Sequence, residues 1–221
     1  MLPRLFLFDL DGTLVDSAPD LGGAANDMLA ARGRPELPLE ELRVPAGHGA
    51  PALLKRAFSI ERDDPRFPEL RDEFLRNYVA RGVSHSSVYA GVRELLEGLR
   101  EMGVASGVVT NKPHELALKV CDELALTPLL ATIVGVGIPG TEVKPLPGSL
   151  LKALADLGAQ PEAALYAGDS TTDGLAAHAA GMPFAWVSWG CQPEAPEAGV
   201  ADFIAREPAD LLVWAMRRGK C

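Results

Sequence analysis

Beyond residue 85 the sequence alternates between short apolar runs and amphipathic segments, and this alternation limits the available folds more than any other feature. Val92 to Met102 carries apolar residues at helical spacing, Val104 to Thr110 reads as a strand, Pro113 to Leu124 as a helix and Thr132 to Val136 as a strand. Leu150 to Leu157, Ala164 to Ala167, Thr172 to Ala180 and Pro183 to Val187 continue the pattern of helix and strand. Leu5 to Phe8, an apolar run too short for a helix and bounded by charge, supplies a strand buried on both faces. Strands separated by helices imply a parallel sheet covered on both sides, so the predicted class is α/β with a doubly wound core.

One stretch breaks the alternation. From about Asp16 to Ala80 the apolar positions keep helical spacing: Leu21, Ala25, Met28 and Leu29, then Ala52, Leu53 and Ala57, then Leu70, Phe74, Leu75 and Tyr78. Pro35 and Pro38, the turn Pro45-Ala-Gly-His-Gly, and Asp64-Pro65 with Pro68 separate these helices. The predicted organisation is a core of residues 1–15 and 86–221 with a helical-bundle cap, residues 16–85, inserted after the first strand. Ligands of parallel sheets bind beyond the carboxyl ends of the strands, so the cap is expected to lie over the site.

Composition narrows the function classes. The 221 residues hold 30 Asp and Glu against 21 Lys and Arg, a formal net charge of −9, which opposes a nucleic-acid footprint built from dense basic patches. Cys121, Cys191 and Cys221 are odd in number and lack metal-ligand spacing, which suits a reducing compartment. Asp9 and Asp11 interrupt the early apolar stretch where a signal peptide would continue, and no later stretch reaches the roughly 20 apolar residues of a membrane span. The expectation is a cytoplasmic protein, monomer or homodimer, with no nucleic-acid or membrane partner. Gln192 to Gly199, rich in Pro, Glu and Ala, reads as a surface loop.

The chemistry is concentrated at strand ends. Asp9 and Asp11 follow the first strand, and two carboxylates so close repel unless a cation or a shared proton relieves them. Gly12 lets the backbone turn and Thr13 adds a hydroxyl. Asp169 and Asp173 follow the strand Ala164 to Ala167, and neighbouring parallel strands end at one edge, so the four acids can converge. An all-oxygen cluster suits magnesium. Thr110 and Asn111 are placed at the start of the following helix, suited to phosphate oxygens, and Lys144 supplies a cation.

The elements Phe-Asp-Leu-Asp-Gly-Thr, Val-Thr-Asn, Val-Lys-Pro and Gly-Asp-Ser-Thr-Thr-Asp, spanning residues 8 to 173, resemble the four motifs of the haloacid dehalogenase superfamily in order. The resemblance implies a Rossmann-like core with a helical cap. It also implies that Asp9 is a nucleophile forming an aspartyl phosphate, with Asp11 protonating the leaving alcohol and later acting as base. Asp9, the backbone carbonyl of Asp11, and Asp169 would hold magnesium with Asp173 in support, while Gly12, Thr110, Asn111 and Lys144 would hold the phosphoryl group. Gly174 departs from the family's usual branched apolar residue and predicts a looser helix start.

Thr13-Leu-Val-Asp-Ser-Ala-Pro-Asp-Leu, Gly47 to Ala50, Thr110-Asn-Lys-Pro and Ala180-Gly-Met-Pro are similar to bacterial phosphoglycolate phosphatases, implying 2-phosphoglycolate as substrate. Arg71-Asp-Glu-Phe-Leu-Arg-Asn-Tyr with His85-Ser resembles the N-acetylmuramic acid 6-phosphate phosphatases of the same branch, and a sugar phosphomutase is a further alternative. A phospho-accepting signalling module also joins clustered acids, Thr and Lys, but its accepting Asp sits apart from the acidic pair. His48, Lys55, Arg56 and Lys112 are the candidates for reading a small phosphorylated metabolite, whereas His85, His114 and His178 form no ligand spacing.

Overall fold

The computed structural model describes residues 4–192 and 196–218. Cys221, and Pro193 to Ala195 within the stretch read as a surface loop, lie outside the described residues. Strand β1 (Leu5–Phe8) is central because every one of its side chains is apolar, and the pleat sends them alternately to two cores. Phe6 and Phe8 enter one cluster and Leu5 and Leu7 the other.

Strands β4 (Ala105–Pro113), β5 (Thr132–Val136), β6 (Ala164–Gly168), β7 (Phe184–Val187) and β8 (Phe203–Ala205) complete a six-stranded sheet in the order β5-β4-β1-β6-β7-β8. All of its pairings are parallel. Helices α5 (Val92–Glu101), α6 (His114–Glu123) and α9 (Pro208–Arg218) cover the Phe6 face, while α7 (Gly148–Asp156) and α8 (Thr171–Ala179) cover the Leu5 face. The predicted doubly wound core is therefore present. Strand β8 and helix α9 were not anticipated: a three-residue strand is too short to display a period.

Between the first strand and this core come α1 (Ala18–Ala30), α2 (Leu39–Gly47), α3 (Ala50–Phe58) and α4 (Phe67–Arg81), which share a separate apolar cluster around Met28, Leu53 and Phe74. The turn expected at Pro45 begins later. Pro45 and Gly47 lie inside α2, and the chain reverses at His48 and Gly49, whose φ is +73°. Pro45 forfeits its own N–H bond and crowds the carbonyl four residues back, and the helix stops two residues after it. No described helix is long and apolar enough to cross a membrane.

The chain leaves and re-enters the core through a two-stranded antiparallel ladder, β2 (Val15–Asp16) with β3 (Ser87–Val88). Asp20, fully buried on α1, anchors the returning strand by accepting from the His85 N–H at 2.9 Å, the Ser86 N–H at 2.7 Å and the Ser86 hydroxyl at 2.7 Å. Burial pushes this carboxyl up, but the Ser86 and His85 hydrogen bonds together outweigh it and hold its pKa below the ordinary value.

A depressed carboxyl pKa contributes stability that is complete above the unfolded value of about 3.9 and is lost as pH falls through the folded value. Asp20→Ala is expected to cost about 2 kcal/mol at pH 7 by leaving buried donors without an acceptor. Urea titrations should show that difference constant down to about pH 4 and shrinking below it.

Candidate active site

Asp9 stands directly after β1, its N–H bonded to Ala167 O on the neighbouring β6, and Asp169 follows β6 itself. Adjacent parallel strands thus deliver two carboxylates to one edge, as expected from the sequence. Asp173 joins them from the first turn of α8, where it closes a capping box with Ser170: the Ser170 N–H and hydroxyl donate to Asp173 Oδ2, and the Asp173 N–H donates to Ser170 Oγ. One carboxylate oxygen from each of Asp9, Asp169 and Asp173 lies within 4.8 Å of the others, and all three residues are buried.

Lys144, in the loop between β5 and α7, inserts its ammonium among them. Nζ lies 2.6 Å from Asp173 Oδ1, 3.0 Å from Asp9 Oδ1 and 2.7 Å from the Tyr166 hydroxyl. One cation faces three acids. Burial raises the Asp9 carboxyl to about 6 despite Lys144, with the Asp173 and Asp11 charges adding to the rise. Burial likewise pushes Asp169 well above the carboxylate range, assisted by the charges of Asp173 and Asp9. For Lys144, desolvation opposes the charge, but Asp173 and Asp9 prevail and its pKa is raised.

The cluster fits a divalent cation. Asp169 Oδ1 is buried without a hydrogen-bond partner among the described residues, while Oδ2 accepts from the Cys191 N–H at 2.7 Å. An unpaired buried carboxylate oxygen is costly, and a hard cation is the ligand that such an all-oxygen set satisfies. Gly12 leaves no room for a substituent beside it: with φ at +84°, a Cβ there would lie 2.4 Å from Asp169 Oδ2. Asp173 has both oxygens engaged by Lys144, Tyr166 and Ser170, so it suits support more than direct ligation.

Asp11 is held apart from this group. Ser17 Oγ donates to its Oδ1 at 2.5 Å, and Lys112 Nζ lies 2.8 Å from its Oδ2. Lys112 is buried and sits 4.6 Å from the ring centre of Tyr78 on α4. Desolvation works against its ammonium, but Asp11 and Tyr78 outweigh it and raise its pKa.

The remaining expectations divide. Thr110 and Asn111 lie within β4, which runs on to Pro113, so they are not at a helix N-terminus. Thr110 is buried and lines the cavity, with Oγ1 accepting from the Lys112 N–H at 3.2 Å. Asn111 clamps the Lys144 main chain, accepting from its N–H at 2.7 Å and donating to its carbonyl at 3.2 Å, so its side chain is spent on the loop. His48 reaches the cavity wall, where the Gln192 amide nitrogen lies 2.7 Å from Nε2. Lys55 and Arg56 depart from expectation: neither lines the cavity, because α3 buries Leu53, Leu54 and Ala57 and turns them outward to Glu61 and Glu41.

Gly174 also differs from its reading as a loose point. A Cβ there would lie 2.7 Å from Val200 Cγ1 and 3.0 Å from Val200 O, so glycine permits close packing behind the capping box. Sequence reasoning missed Ser17, Tyr78 and Tyr166 at the site. Tyr166 hid inside an apolar strand run, and only its hydroxyl, donating to Val109 O at 2.8 Å, reveals a polar task. Above the acids opens a cavity of about 450 Å³ between core and cap.

The haloacid dehalogenase-like hydrolase family matches residues 6–187. The chain belongs to that family. Among curated relatives of this hydrolase, the phosphoglycolate phosphatase of Pseudomonas syringae pv. tomato is 38% identical over 98% of this chain and 78% of its own length. Phosphoglycolate phosphatase 1 of Pseudomonas aeruginosa is 41% identical with the same coverage, and the phosphoglycolate phosphatase of Xylella fastidiosa strain 9a5c is 41% identical over 93% and 90%. The crystal structure of a predicted phosphoglycolate phosphatase from Haemophilus somnus superposes with a TM-score of 0.82 at 30% identity, covering 96% of this hydrolase and 97% of that chain.

Lys144→Met leaves the Asp9, Asp169 and Asp173 carboxylates without their cation. In metal-free buffer it is expected to lower unfolding free energy by about 3 kcal/mol, measured by urea denaturation, because removing one partner strands buried charge.

Proposed function

We propose that this protein is a magnesium-dependent phosphomonoesterase that works through an aspartyl phosphate on a small phosphorylated metabolite, 2-phosphoglycolate first. The observation that carries the reading is the buried convergence of Asp9, Asp169, Asp173 and Lys144 beneath a cavity that Asp11 also lines. The relatives at about 40% identity that bear the phosphoglycolate phosphatase name support the substrate. In this reading residues 16–85 form the cap and residues 1–15 and 86–221 the core. The protein acts in the cytoplasm as a monomer or homodimer.

In the first half-reaction an Asp9 carboxylate oxygen bonds to phosphorus while the ester P–O bond breaks, and Asp11 gives a proton to the departing alcohol. In the second, Asp11 takes a proton from water, whose oxygen attacks phosphorus and releases phosphate with the Asp9 carboxylate restored. Ser17 and Lys112 fix the Asp11 carboxylate for both transfers. Lys144 and the Thr110 hydroxyl hold phosphoryl oxygens, and the turn at Gly12 keeps the backbone close to them; Asn111 acts by holding the loop that presents Lys144. Asp9, the Asp11 carbonyl and Asp169, supported by Asp173, would bind magnesium, which supplies positive charge against the phosphoryl oxygens.

A second reading, N-acetylmuramate 6-phosphate as substrate, is favoured by the cavity: about 450 Å³ lies in the range that holds drug-sized ligands. Comparing kcat/KM for the two esters decides between them.

Asp9→Asn is expected to lower phosphate release from either ester by roughly a thousandfold or more, with the far-ultraviolet circular dichroism unchanged. Chelating divalent ions should abolish release in the unmodified protein, and magnesium should restore it. Turnover that survives either treatment would refute the mechanism.

A further inference from the structure

The chain from Trp189 to Gln192, just after β7, touches the acidic pocket and the cap at successive residues. Trp189 Nε1 donates to the Thr13 carbonyl at 2.9 Å, which fastens the segment to the turn that follows Asp9 and Asp11. Gly190 lies flat on the acid itself: a Cβ there would collide with Asp169 and with the Gly12 carbonyl. The Cys191 N–H donates to Asp169 Oδ2 at 2.7 Å, the one hydrogen bond this carboxylate accepts among the described residues. Past that point the contacts change sides. The Cys191 side chain is buried in the cap's apolar cluster, against Gly47 at the end of α2, and the Gln192 amide nitrogen lies 2.7 Å from His48 Nε2.

A carboxylate held by a single hydrogen bond turns with whatever holds the donor. Asp169 Oδ2 is occupied, so Oδ1, buried and unpaired, is the oxygen left to face a cation. Its direction depends on where the Cys191 nitrogen sits, and the packing of the Cys191 side chain decides that. The cap side of this packing has no slack. A Cβ on Gly47 would lie 2.9 Å from Cys191 Cβ, well inside the roughly 3.5–4.0 Å at which carbon atoms pack. Glycine weakens a helix, and no positive φ requires it at residue 47, inside α2. The close approach of Cys191 is what requires it.

We propose that residues 189–192 make the cap part of the cation site: the seating of α2 on Cys191 fixes Asp169, so the divalent ion is bound tightly only when the cap is docked. This inference rests on the reading of Asp9, Asp169 and Asp173 as a magnesium site and adds the cap as a determinant of its affinity. Gly47 and His48 are positioning residues that act through Cys191 and Gln192. Because linkage is reciprocal, the ion must tighten the docking of the cap by the same factor as docking tightens the ion.

The test uses the full chain without substrate. Gly47→Ala adds the Cβ that displaces Cys191, whereas Gln192→Ala removes the contact with His48 and adds no bulk. Magnesium affinity is read from isothermal titration calorimetry and from the rise in melting temperature across a magnesium titration, while melting in EDTA reports any damage to the fold separately. The expected magnesium Kd is about tenfold weaker in Gly47→Ala, as when a group supporting a metal ligand is lost, and about threefold weaker in Gln192→Ala. In the unmodified protein, magnesium should slow amide hydrogen exchange at residues 46–50. A Kd in Gly47→Ala within about twofold of the parent, or exchange at that turn indifferent to magnesium, would overturn the inference. Should Gly47→Ala fail to fold, an unchanged Kd in Gln192→Ala overturns it instead. If the unmodified protein shows neither heat nor a melting shift with magnesium, the magnesium reading fails first and this one with it; if it binds magnesium and the variants bind equally well, this one alone fails.

Discussion

Three carboxylates buried at one edge of a sheet against a single lysine form the constraint on which this molecule is organised. Asp9, Asp169 and Asp173 cannot all be charged in a low-dielectric pocket without compensation, and Lys144 offsets only part of their repulsion. The surroundings show how far the fold goes to hold them. Tyr166 donates past Lys144 to Val109 O, Ser170 closes a box on Asp173, and the Cys191 N–H is fixed on Asp169. The negative charge that Lys144 does not offset suits the pocket to a divalent cation.

The same edge receives the cap. The connections at β2 and β3 pair with each other, and Asp20 ties α1 to the returning strand, so the four helices enter and leave through one narrow ladder. From that ladder α4 carries Tyr78 to the Lys112 ammonium, which itself grips Asp11. A side chain of the cap therefore touches the cation that orients the proposed acid and base. The loop after β7 makes a second link: Cys191 packs in the cap's apolar cluster while its N–H holds Asp169, and Gln192 contacts His48. Cap and core meet through residues that also touch the chemistry.

Much of this is legible in the sequence. The continuous apolar run of Leu5 to Phe8 announced a central strand, and the acids placed after it and after Ala164 to Ala167 had to meet once the strands were parallel neighbours. Other features were not legible. Val104 to Thr110 looked like a complete strand, yet β4 continues to Pro113 because β5 pairs with it past an irregularity, and that displaced Thr110 and Asn111 from the helix start. Asn111 carried a side chain equally suited to phosphate and to backbone, and only the approach of Lys144 selected the backbone. Lys55 and Arg56 looked like any basic pair near a turn, and the rotation of α3 sent them to Glu61 and Glu41.

By itself the sequence determined the alternation of helices and strands from α5 to β7, the helical insertion after β1, and the positions from which the acids and Lys144 project, because these depend on hydrophobic period and on short-range spacing. Tertiary structure alone decided which polar groups share a partner: Lys112 with Asp11 under Tyr78, and Lys144 between Asp9 and Asp173. The reason is physical. Pairing among buried charges depends on distances of a few ångströms between segments remote along the chain, and no local pattern encodes those distances.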